Sequence, residues 1–82
     1  MKLEWSDLAL DDLASLHAYI TQENPAAARK VALAIVESVE TLLPANPHIG
    51  RPGRVSGTRE LVIPRSPYLV PYRVKHGVIQ IL

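Results

Sequence analysis

The chain opens Met1-Lys2-Leu3-Glu4-Trp5, with polar and apolar residues in alternation, which predicts a short strand with one buried face. Ser6 then offers a capping oxygen, and Asp7 puts a negative charge in the first turn, where the helix dipole favours it. Ala9, Leu13, Leu16 and Ile20 follow in steps of four, three and four, so a helix is predicted that fades near Gln22-Glu23. Asn24-Pro25 restarts the pattern: asparagine caps, and proline at the first helical position is preset in φ and loses no needed bond. A second helix is predicted from Ala26 to about Leu43, with Ala28, Ala32, Ile35, Val39 and Leu42 as its apolar stripe and Pro44 as its stop. The short connection makes the two helices antiparallel neighbours.

Periodicity then disappears over residues 44–58, where three prolines and three glycines forbid a long helix or a central strand. A loop of that length in a small domain is often functional. Strands are predicted at Arg59–Ile63, Tyr68–Val74 and Val78–Leu82, separated by a turn over Pro64–Pro67 and a tight hairpin turn at Lys75-His76-Gly77. Pro71 cannot donate to a ladder, so its strand is expected to be an edge or bulged there. The order β-α-α-β-β-β predicts an α+β domain over residues 1–82, with the N-terminal strand and helical hairpin packed on a small antiparallel sheet. The end at Leu82 falls inside a strand, which fits a C-terminally truncated chain or a strand completed by another molecule.

Composition narrows the class. A chain of 82 residues and 9.0 kDa makes one domain, 48% hydrophobic and 21% charged, which is neither disordered nor fibrous. Cysteine is absent, so disulfides, thiolate zinc sites and a thiol nucleophile are excluded, and a reducing cytoplasm suits the chain. No apolar run approaches the roughly 20 residues of a membrane span. Net charge is +1, but its distribution is uneven. Residues 1–42 carry three basic and seven acidic side chains, net −4; residues 43–82 carry six basic and one acidic, net +5. Five of those six are arginines, suited to planar contact with carboxylate or phosphate. An anionic partner is implied, either nucleic acid or an acidic protein segment.

Catalytic motifs are scarce. The serines Ser6, Ser15, Ser38, Ser56 and Ser66 sit in no nucleophile-elbow setting. His17, His48 and His76 have no metal-ligand spacing, and only His48, in the proline-rich loop, is kept as a candidate. Asp11 and Asp12 are adjacent on a helix and point apart. Gly50, Gly53 and Gly57 lack the lysine of a phosphate loop and read as turns. Neither a metal nor a cofactor is called for. The candidates for binding are Arg51, Arg54, Arg59, Arg65, Tyr68, Tyr72 and Arg73. Two readings stand for the arginines: solvated residues that keep edges soluble, or a basic strand-and-loop surface. The tyrosines read as half-buried sheet residues before stacking platforms.

Arg59-Glu60-Leu61-Val62-Ile63, then Pro67-Tyr68-Leu69-Val70-Pro71-Tyr72-Arg73-Val74, then Val78-Ile79-Gln80-Ile81-Leu82 resembles the RelE/ParE toxin superfamily, its ParE branch in particular. The strand ending at Trp5, the acidic first helix, Asn24-Pro25-Ala26-Ala27-Ala28 and Gly50-Arg51-Pro52-Gly53 extend the resemblance along the whole chain. It implies the toxin of a type II toxin–antitoxin pair, held by a ParD-like antitoxin whose acidic, initially disordered segment folds as it binds. RelE-like members cleave mRNA in the ribosome; ParE-like members inhibit DNA gyrase. Where RelE-like members carry strand lysines this chain has Glu60 and Val62, and where they carry an arginine it has Leu69. The resemblance therefore implies gyrase as target, no bond-making, and no specific nucleic-acid binding by the toxin alone. Its alternatives are an RNA-cleaving toxin and a non-toxic, antitoxin-binding relative.

Overall fold

A computed structural model describes all residues, 1–82. The elements run β1 (Lys2–Trp5), α1 (Asp7–Thr21), α2 (Pro25–Ala45), β2 (Arg51–Pro52), β3 (Arg59–Val62), β4 (Leu69–Lys75) and β5 (Val78–Ile81). The expected α+β architecture is present, as one five-stranded sheet in the order β1-β5-β4-β3-β2. The sheet is mixed, not wholly antiparallel. β1 runs parallel to β5, with Leu3 opposite Ile79 and Trp5 opposite Ile81. The two-helix excursion between β1 and the later strands returns the chain for that pairing. The remaining pairs are antiparallel, and two residues of the proline-rich loop form β2 against β3.

Both caps form as the sequence implies. Ser6 Oγ accepts from Ala9 N–H at 3.0 Å, and Asn24 Oδ1 accepts from Ala27 N–H at 3.1 Å with Pro25 in the first turn. Pro44 does not stop α2: the helix continues to Ala45 with Pro44 inside it. The lost i→i−4 bond falls on Glu40, which is exposed, so water can serve the orphaned carbonyl. The helix runs two residues past the expected end, and Leu43, rather than Leu42, is buried beside Ala28, Ile35 and Val39.

The core lies between the helices and one face of the sheet. Ala9, Ile35, Val39 and Leu43 meet Leu61, Ile63, Val70, Tyr72, Ile79 and Ile81. β4 alternates accordingly, with Val70 and Tyr72 buried and Leu69, Pro71 and Arg73 exposed. Pro71 lies in the central strand of the five, neither at an edge nor beside a bulge. Its carbonyl accepts from Leu82 N–H at 3.0 Å. In a strand a residue's N–H and C=O face the same neighbour, so the missing donor falls opposite Leu82, beyond the last ladder residue of β5. The β4–β5 hairpin turns through His76 and Gly77, both at positive φ, 53° and 75°. That is the backbone of a two-residue turn matched to strand twist.

Candidate functional site

The sheet face away from the helices is set by register. Arg51 lies opposite Glu60, Glu60 opposite Pro71, Val62 opposite Leu69, and Arg73 opposite Gln80. Two of its arginines are already engaged. Arg51 Nε donates to Glu60 Oε1 at 3.1 Å, and the Glu60 side chain is only 11% exposed. Arg73 Nε donates to Gln80 Oε1 at 2.6 Å. Beyond them, toward the β3–β4 turn, the surface is apolar: Val62 and Leu69 form an exposed cross-strand pair, with Pro71 next along β4.

The seven candidates do not converge on one site. Arg51 and Arg73 share that outer face. Arg54 is exposed on the loop between β2 and β3, which Gly53 N–H closes by donating to Thr58 O at 2.8 Å. Arg65, held at φ 60°, and Tyr68 line a cleft between α2 and the β3–β4 turn, with Lys30 and Val31 on its other wall. Tyr68 also borders an apolar cleft of about 150 Å³ reaching Leu13, Leu16 and Leu82. Arg59 is half-buried and lines a polar cleft with His48.

Tyr72 presents no surface at all. It is 0% exposed, and its hydroxyl donates to Pro47 O at 2.8 Å while accepting from Gly50 N–H at 2.9 Å. It is a strut between β4 and the proline-rich loop. Arg59 braces the same loop, donating through Nη1 to His48 O at 3.2 Å and Gly50 O at 2.9 Å. Gly50 is required there, because a Cβ would lie 2.6 Å from Tyr72 Cε1 and 3.0 Å from Glu60 O. Sequence reasoning missed the one buried charged side chain, Glu60; its position as the sole acidic residue among six basic ones was the available signal. No cluster of three or more His, Asp or Glu side chains is placed to hold a metal ion, and no helix is long and apolar enough to cross a membrane.

A two-helix, five-strand α+β module with arginines spread along its strand-and-loop side is the class of protein these features define. The family described as the ParE toxin of type II toxin–antitoxin system, parDE, matches residues 3–82, and the chain belongs to it. Y4kP of Sinorhizobium fredii, named as a candidate toxin, is 40% identical over 77 residues, 94% of this chain and 79% of that protein. Toxin RelE2 of Caulobacter vibrioides is 32% identical over 78 residues, 95% of this chain and 85% of its own length. A solved structure of the chromosomal ParDE toxin–antitoxin system from P. aeruginosa superposes with a TM-score of 0.90 at 39% identity, covering 100% of this chain and 90% of that one.

Proposed function

We propose that this ParE-family toxin is neutralised by a ParD-like antitoxin and acts by binding DNA gyrase, without making or breaking covalent bonds. Membership of the family and the likeness to a ParDE structure support the antitoxin partner. A disordered acidic segment that folds on binding matches the arginine-rich half of net charge +5.

One observation carries the choice of gyrase over RNA. On the outer sheet face, the positions at which the resemblance to RelE-like toxins implies cations hold Glu60, Val62 and Leu69. Glu60 is tied to Arg51, and Val62 and Leu69 pair as an apolar patch. A phosphodiester cleavage needs a proton acceptor and fixed positive charge for its developing oxyanion. An exposed apolar patch bordered by arginines suits contact with a protein surface instead. The test is a supercoiling assay with purified gyrase: the toxin inhibits it and added antitoxin restores it. Normal supercoiling at excess toxin would reject the reading.

The likeness to Toxin RelE2 favours a second reading, ribosome-dependent mRNA cleavage. Toeprinting on translated mRNA decides it: new toeprints at codons in the ribosomal A site would establish cleavage, and unchanged full-length message would exclude it.

A further inference from the structure

Arg59 is placed differently from the other arginines. The two carbonyls of His48 and Gly50 take both hydrogens of its Nη1. Its Nε and Nη2 donate to nothing within the chain, yet no buried side-chain nitrogen or oxygen lacks a partner, so both reach solvent. In a planar guanidinium the Nε–H and Nη2–H bonds lie side by side and point the same way. The unused edge is therefore a two-donor fork of the shape that accepts a carboxylate. The two ion pairs of the chain are Lys2–Glu4 and Arg51–Glu60, so no carboxylate occupies the fork.

Arg59 opens on a cleft of about 340 Å³, whose other walls are His48, Pro52, Gly57, Thr58 and Val74. None of these is acidic. The Gly57 N–H has no acceptor in the chain, and the His48 ring makes no hydrogen bond. Thr58 spends its hydroxyl hydrogen on Val55 O at 2.6 Å and closes the loop. The register puts Arg59 opposite Tyr72, on the helix side of the sheet, so this cleft is separate from the outer face described above.

We propose that this cleft is a carboxylate-binding subsite, in which the Nε/Nη2 edge of Arg59 receives an Asp or Glu side chain of a bound peptide. A carboxylate fits better than inorganic phosphate: Arg59 is the one permanent cation lining the cleft, which balances a single negative charge but not two. Pro52 and Val74 give the methylene stem of an acidic side chain an apolar wall. The carbonyl anchors have already fixed the guanidinium, so little rotamer freedom remains to be lost on binding. The assignment does not depend on which protein supplies the peptide.

The test is an NMR titration of the intact chain, following the arginine Nε–Hε resonances and backbone amides at constant ionic strength. The probes are N-acetyl-glutamate methylamide, its glutamine counterpart and inorganic phosphate. The glutamate probe shifts Arg59 Hε and the Gly57 amide saturably, and more than Arg51, Arg54, Arg65 or Arg73; the glutamine probe does not. Arg59→Lys keeps the charge, removes the fork and loses the response; if that variant misfolds, the wild-type titration still decides. Equal shifts at all arginines, an equal response to the glutamine probe, or a stronger response to phosphate would overturn the proposal.

Discussion

At the scale of single residues, the proline-rich loop is held by two side chains that sequence reading grouped with the binding candidates. Tyr72 and Arg59 both reach into it, and their bonds are to main-chain groups 9 to 25 positions away in sequence. Local patterning could place Tyr72 on a strand but could not show that its hydroxyl is consumed. Tyr72→Phe leaves the buried Gly50 N–H without its acceptor and should cost about 1–3 kcal/mol in urea denaturation. Gly50→Ala forces a Cβ against the same ring and should cost a similar ~1–3 kcal/mol, read by the same method. Arg65 is exposed and makes no recorded bond or ion pair, so Arg65→Glu tests charge alone. It should weaken antitoxin binding at low salt with the melting temperature unchanged, measured by calorimetry; unchanged affinity would remove Arg65 from the interface. Arg59→Glu would confound that test, because it also unpins the loop.

At the scale of elements, most of what rests on local chemistry was legible, Pro44 as the end of α2 being the exception. Caps, helix phases and the glycine turn at His76-Gly77 all follow from neighbours within four residues. What depends on distant parts of the chain was not. The parallel pairing of β1 with β5 joins segments more than seventy positions apart, and β2 is too short to carry a period of its own. Pro71 looked like an edge marker, but a central strand tolerates it where the missing donor faces Leu82. The two helices also differ in a way the stripes concealed. α2 buries four residues and α1 buries only Ala9, although both stripes are equally regular in sequence. Amide hydrogen exchange should therefore be faster in α1 than in α2, and slowest in β5, all of whose residues are paired on both sides. Equal protection in the two helices would contradict that ranking. Ser6→Ala removes the α1 cap and should cost about 1 kcal/mol of thermal stability.

At the scale of the whole molecule, the division of charge survives folding. The acidic half becomes β1 and nearly all of the two helices, and the basic half becomes the loop and the remaining strands. The chain thus carries most of its negative charge on the helices and most of its positive charge on the strands and loop, despite a net charge of only +1. An acidic partner on the positive side should associate faster at low ionic strength and more slowly as salt screens the field, which stopped-flow mixing with antitoxin would show. The more demanding claim is that this surface acts by contact, through the exposed apolar pair Val62 and Leu69. Purified toxin, gyrase and relaxed plasmid test it most directly, with antitoxin and translated mRNA as parallel arms. The account predicts lost supercoiling, recovery on adding antitoxin, and intact message; normal supercoiling with cleaved message would contradict it.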